Sequence, residues 1–88
     1  MSEREEVGAF TTYHVLEGAP VVRVYHDRDG DWQFMADVST RVEDGRLVGI
    51  NHLLELDPTL KGALSIPEGW YAYRESPTDE WAFAEDPD

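Results

Sequence analysis

The chain has 88 residues, 41% hydrophobic and 11% aromatic, with nineteen acids against seven bases and a net charge of −12; this suits one folded domain with a thin core and is too apolar for a disordered chain. Such a charge repels nucleic acid phosphates and anionic membranes, so direct nucleic acid and membrane partners are not expected, and it favours a basic protein, a cation or solvent as neighbour. With no cysteine, disulfides, thiolate metal sites and cysteine nucleophiles are excluded.

Residues 1–8 are polar and charged and are expected to form a flexible tail. They lack the basic start and apolar run of a secretory signal. No stretch approaches the roughly 20 apolar residues of a membrane span, so the cytoplasm is the expected compartment. Thr11-Thr12-Tyr13-His14-Val15-Leu16 is β-branched and aromatic and reads as a strand, broken by Glu17-Gly18-Ala19-Pro20. Val21-Val22-Arg23-Val24-Tyr25-His26 is the clearest strand signal. Asp27-Arg28-Asp29-Gly30-Asp31 is a tight turn, and Trp32-Gln33-Phe34-Met35-Ala36 is the returning strand.

Pairing Tyr25 with Gln33 places Val22, Val24, Trp32 and Phe34 on one face and Arg23, Tyr25, Gln33 and Met35 on the other. A slip of one residue would reverse that partition, so the pattern favours this register. If residues 11–16 also pair with the second strand, Leu16 meets Val21 and His14 meets Arg23.

A polar connection from Val38 leads to Asp44-Gly45, then to a short strand over Arg46–Ile50. Asn51 is a suitable N-cap for a helix over His52–Leu56. Asp57-Pro58 supplies a second cap with proline at the first helical position. Further helical turns over Thr59–Leu64 would let Leu53, Leu56, Leu60 and Leu64 cover one side of a sheet. Pro67-Glu68-Gly69 reads as a turn with proline second and glycine fourth. Trp70–Arg74 is a strand, 76–79 a loop, and Glu80–Phe83 a last strand, before an acidic tail over 84–88 that is expected to be flexible.

The expected fold is a single α+β domain in the order β-β-β-β-α-β-β. A mostly antiparallel sheet of about five to six strands carries one short helical layer on one face. The other face is then partly open and can present Tyr25, Met35 and either Tyr71 and Tyr73 or Trp70; such a patch marks a contact surface unless the first strand or the tail folds over it.

Sites for chemistry are sparse. Asp27-Arg28-Asp29-Gly30-Asp31 has carboxylates at alternate positions like a calcium loop, but its glycine is fourth rather than sixth and the twelfth position is Val38, not glutamate. His14, His26 and His52 have no helical metal-ligand spacing. No serine lies in a nucleophile elbow, and no Gly-rich phosphate loop occurs. Glu55 stands among leucines on a helix face expected to be exposed. Trp32, Trp70 and Trp81 are expected in the core, with an aromatic binding surface as the alternative. Neither a cofactor, a metal site nor a catalytic residue is expected.

Three motifs stand in order along the chain: the acidic turn and aromatic strand Asp29-Gly30-Asp31-Trp32-Gln33-Phe34, the leucine helix running into Asp-Pro (His52 to Pro58), and Pro-x-Gly before an aromatic strand ending in Arg (Pro67 to Arg74). In these, residues 21–83 resemble a small bacterial family of immunity-protein-like domains of unknown function. That resemblance implies a protein that binds and blocks a basic toxin, and it supplies no catalytic residues. From the residues themselves, the leading expectation is a non-enzymatic, acidic protein-binding module. Its expected partner-binding residues are Asp27, Asp29, Asp31, Tyr25, Met35, Asp79 and Glu80. A homodimer formed through the sheet, and a small ligand-binding domain or enzyme, are the alternatives.

Overall fold

A computed structural model describes residues 7–87. Its strands are β1 (Gly8–Thr12), β2 (Val21–His26), β3 (Trp32–Ala36), β4 (Gly45–Gly49), β5 (Trp70–Tyr73) and β6 (Ala82–Glu85). They form one six-stranded sheet of an α+β fold, in the order β4-β1-β3-β2-β5-β6, antiparallel throughout except for the parallel pair β1 and β3. The helices are α1 (Tyr13–Leu16) and α2 (Ile50–Leu56), with a single 3-10 turn over Val42–Asp44 and a longer 3-10 helix over Pro58–Ala63.

The β2–β3 hairpin takes the register expected from its pattern: Tyr25 pairs with Gln33 and Val24 with Phe34. The turn closes through Gly30 N–H to the Asp27 carbonyl (2.9 Å) and Asp27 N–H to the Asp31 carbonyl (2.8 Å). Gly30 takes the positive φ that an Asp-Gly turn requires. A bulge between Val21 and Arg23 buries both Val21 and Val22. Val24, Phe34 and Ala72 form the inner face of the sheet and share one core with Val15, Leu53, Leu60, Ala63 and Ile66 from the helical side.

The first strand differs from expectation. Strand structure ends at Thr12, and Tyr13–Leu16 turn into α1. The first two strands form no hairpin; β1 instead lies between β3 and β4, with Phe10 beside Gln33 and opposite Leu47. His14 therefore does not face Arg23, which pairs with Met35 and Tyr73. Burial explains the change: Ala9 and Thr11 are enclosed, and Thr11 Oγ1 donates to the Phe34 carbonyl at 2.7 Å. Tertiary pairing outweighs the β-propensity of residues 13–15.

Helix α2 starts two residues early, at Ile50, with Gly49 rather than Asn51 as its N-cap. The strand β4 runs straight into the helix, and Ile50 N–H donates to the Val7 carbonyl (2.9 Å). A backbone acceptor thus satisfies one of the N–H groups that the first turn of a helix leaves without an intrahelical partner. Asp57 behaves as its position suggests: its carboxylate accepts from Thr59 N–H (3.0 Å) and Thr59 Oγ1 (2.6 Å), with Pro58 at the first helical position. Leu53 and Leu60 are buried, whereas Leu56 is half exposed.

The turn before β5 closes through Trp70 N–H to the Pro67 carbonyl (3.1 Å), so proline is first and glycine third. The third position of such a turn needs positive φ, and Gly69 has φ +87° with Arg28 packed 3.0 Å from where a Cβ would stand. Gly69→Ala should cost about 1–3 kcal/mol in chemical denaturation, through backbone strain and displacement of Arg28.

The last strand lies two residues later than expected, at Ala82–Glu85. Trp81 is held out of it by a hydrogen bond to the Thr59 carbonyl (3.0 Å) and by the Arg74 guanidinium 4.1 Å above its ring. Part of each segment expected as a tail belongs to the sheet. Gly8 opens β1, Ala84 and Glu85 close β6, and Asp86 N–H donates to the Gly69 carbonyl at 2.7 Å. Residues 1–6 and 88 lie outside the described residues. Among those described, no helix is long and apolar enough to cross a membrane.

Candidate functional site

Residues paired across neighbouring strands point to the same face of a sheet. Read through the six strands, one cross-strand row is Ala84, Tyr71, Tyr25, Gln33, Phe10 and Leu47. Beside it runs a second row of Ala82, Tyr73, Arg23 and Met35. Both rows lie on the face opposite Val24, Phe34 and Ala72, and so opposite the helical layer. Tyr25, Met35, Phe10 and Tyr71 are half-buried, Tyr73 is 41% exposed and Leu47 82% exposed.

The aromatic part of this face is ordered by ring contacts. Tyr25 and Tyr71 stack with centroids 5.6 Å apart, and Tyr73 tilts against Tyr71 at the same distance. Of the two aromatic sets expected from β5, the structure presents Tyr71 and Tyr73 here. Trp70 pairs with His26 and faces the core side, where His26 stacks on Trp32 at 3.9 Å.

The acidic residues divide into two groups. Asp27 and Asp31 flank the hairpin turn at one end of the open face, and Gln33 Nε2 donates to Asp27 Oδ2 at 2.8 Å. Asp29 is exposed in the same turn and accepts from Asp31 N–H (3.2 Å). Asp79 and Glu80, both exposed, follow β5 and so lie at the opposite end of the sheet, near the start of β2. The structure thus gathers Tyr25, Met35, Asp27 and Asp31 on or beside one face and leaves Asp79 and Glu80 apart from them.

The histidines serve separate neighbourhoods. His14 stacks on Tyr13 with Nδ1 3.2 Å from Thr12 Oγ1, His26 Nδ1 lies 2.9 Å from the Ile66 carbonyl oxygen, and His52 is exposed on α2. Among the described residues, no group of three or more His, Asp or Glu is arranged to hold a metal ion. Glu55 is exposed.

Sequence reasoning missed Phe10 and Leu47 as members of the face. Their signal depends on β1 lying between β3 and β4, a pairing that no local pattern carries.

Fold and face together define an acidic α+β domain whose sheet is covered by helices on one side and presents aromatic side chains on the other. A scan against protein-family models, a search of curated proteins and a search of solved structures each found no match to this chain.

Proposed function

We propose that this chain is a non-catalytic binding module that holds a basic protein partner against its open sheet face. The observation that carries this reading is the row of Tyr71, Tyr25, Phe10 and Leu47 running across the sheet on a chain of net charge −12. Rigid tyrosines give large contact area at small entropic cost, and they rank among the residues on which binding energy concentrates. The surrounding negative charge speeds encounter with a basic protein and makes affinity salt-sensitive. An immunity-type protein that blocks a basic toxin in the cytoplasm is the concrete form, and it rests on the family resemblance. High like charge on each copy weighs against the homodimer.

The test is capture from native cell extract on the tagged chain, comparing wild type with the double variant Tyr25→Ala/Tyr71→Ala. A basic protein should be retained at low salt, released at moderate salt, and bound roughly a hundredfold more weakly by the variant, at about 1–2 kcal/mol per tyrosine. Retention of the chain alone, with a mass in light scattering that doubles as concentration rises, would replace this reading with the homodimer.

A further inference from the structure

At its turn end, the open face carries a groove lined by Gly8, Phe10, Asp27, Asp31, Gln33 and Leu47. Phe10 and Leu47 pair across β1 and β4 and form an apolar wall. Gly8 leaves room beside them: a Cβ there would meet nothing within 4 Å. Asp27 and Asp31 close the far side. Asp27 is steadied by the Gln33 amide, and Asp31 uses its backbone N–H and carbonyl in the turn, leaving its carboxylate outside those bonds. The neighbouring cation, Arg28, is turned away, donating from Nη2 to the Asp86 carbonyl at 2.8 Å. The groove therefore pairs an apolar, aromatic wall with two carboxylates.

We infer that this groove anchors an arginine side chain of the basic partner. A guanidinium is planar, weakly hydrated and forked. It can lie against the Phe10 ring while its N–H groups donate to Asp27 and Asp31, and its methylene stem covers Leu47. Lysine offers a compact, strongly hydrated charge that gains less from the aromatic wall. The inference rests on the binding-module reading and names the chemistry of its central contact.

The test is titration of the full chain with N-acetyl-arginine amide, followed in amide NMR spectra, beside N-acetyl-lysine amide and N-acetyl-norleucine amide. Saturable shifts are expected at Gly8, Phe10, Asp31 and Gln33 with the arginine probe, weaker binding with lysine, and no saturable binding with norleucine. Asp31→Asn should weaken the arginine probe about fivefold to tenfold, as loss of one charge-assisted contact does. Gly8→Leu, which fills the groove without altering charge, should weaken it as much, while Asp79→Asn at the opposite end should leave it unchanged. Shifts that spread over all acidic residues without saturating, equal binding of lysine, or an equal effect of Asp79→Asn would overturn the inference. The two readings fail separately. A captured partner that still binds Asp31→Asn and Gly8→Leu at full strength removes the groove and leaves the module. If the arginine probe saturates the groove but wild type captures nothing, the guanidinium site stands and the module reading falls.

Discussion

Asp57→Ala should destabilise the fold by about 3–5 kcal/mol, the usual effect of stripping the counterion from a buried charge. The charge is Arg74, whose side chain is 1% exposed. Its Nε and Nη2 donate to the Val21 carbonyl (3.1 and 3.0 Å), and Nη1 donates to Thr59 Oγ1 (2.9 Å) and the Pro77 carbonyl (3.2 Å). Nη2 also meets Asp57 Oδ2 at 3.2 Å, and the guanidinium lies over Trp81. One side chain thereby ties the start of β2, the 3-10 helix, the loop after β5 and the entry to β6. Asp57 also caps the 3-10 helix, which adds about 1 kcal/mol to its loss. Arg74→Met removes the charge but leaves the buried Val21 carbonyl without its partner, at about 1–3 kcal/mol, so it should be the milder change. Equilibrium urea unfolding checks the order. A domain of this size has on the order of 5–10 kcal/mol in total, so Asp57→Ala should sit near the edge of folding at room temperature. Equal midpoints for wild type and Asp57→Ala would refute the clamp.

Phe34→Ala should cost about 3–5 kcal/mol. Phe34 is fully buried in the central strand β3, opposite Val24, with the Trp32 ring 6.2 Å away. Its neighbours belong to an ordered sheet and cannot collapse into the space it leaves. Phe34→Leu, which keeps most of the volume, should cost about 1–1.5 kcal/mol. Phe83→Ala is the control: Phe83 is 46% exposed on the edge strand, and its loss should shift the midpoint little. Equal effects at the two positions would mean that β3 does not lie at the centre of the core.

Local chemistry made part of this architecture legible. The Asp-Gly turn and the alternation around it fixed the Tyr25–Gln33 register, and hence placed Tyr25 and Met35 on the open face. Asp57-Pro58 announced its own cap. Arg74 closed an aromatic strand in sequence, and Asp57 ended a leucine helix; nothing in either segment indicated that the two would meet. The misreadings share a cause. Residues 13–15 favour a strand by propensity but follow one whose partners lie far along the chain. Trp81 belongs by type to a strand, yet the Arg74 guanidinium and the Thr59 carbonyl hold it outside. Asn51 is a good cap in isolation, but β4 runs directly into the helix at Ile50 and leaves Asn51 inside its first turn. Phe10 and Leu47 come together only through β1, so the groove they line was invisible until the sheet order was known.

That same strand sets an order of assembly during synthesis. β1 leaves the ribosome first, yet both its neighbours, β3 and β4, are made after it. The β2–β3 hairpin can close locally within microseconds of emerging, and β1 can then pair with β3, while its other edge waits for β4. Until β4 has been made, β1 therefore keeps an unpaired edge, and an unpaired strand edge is a template for joining a wrong neighbour.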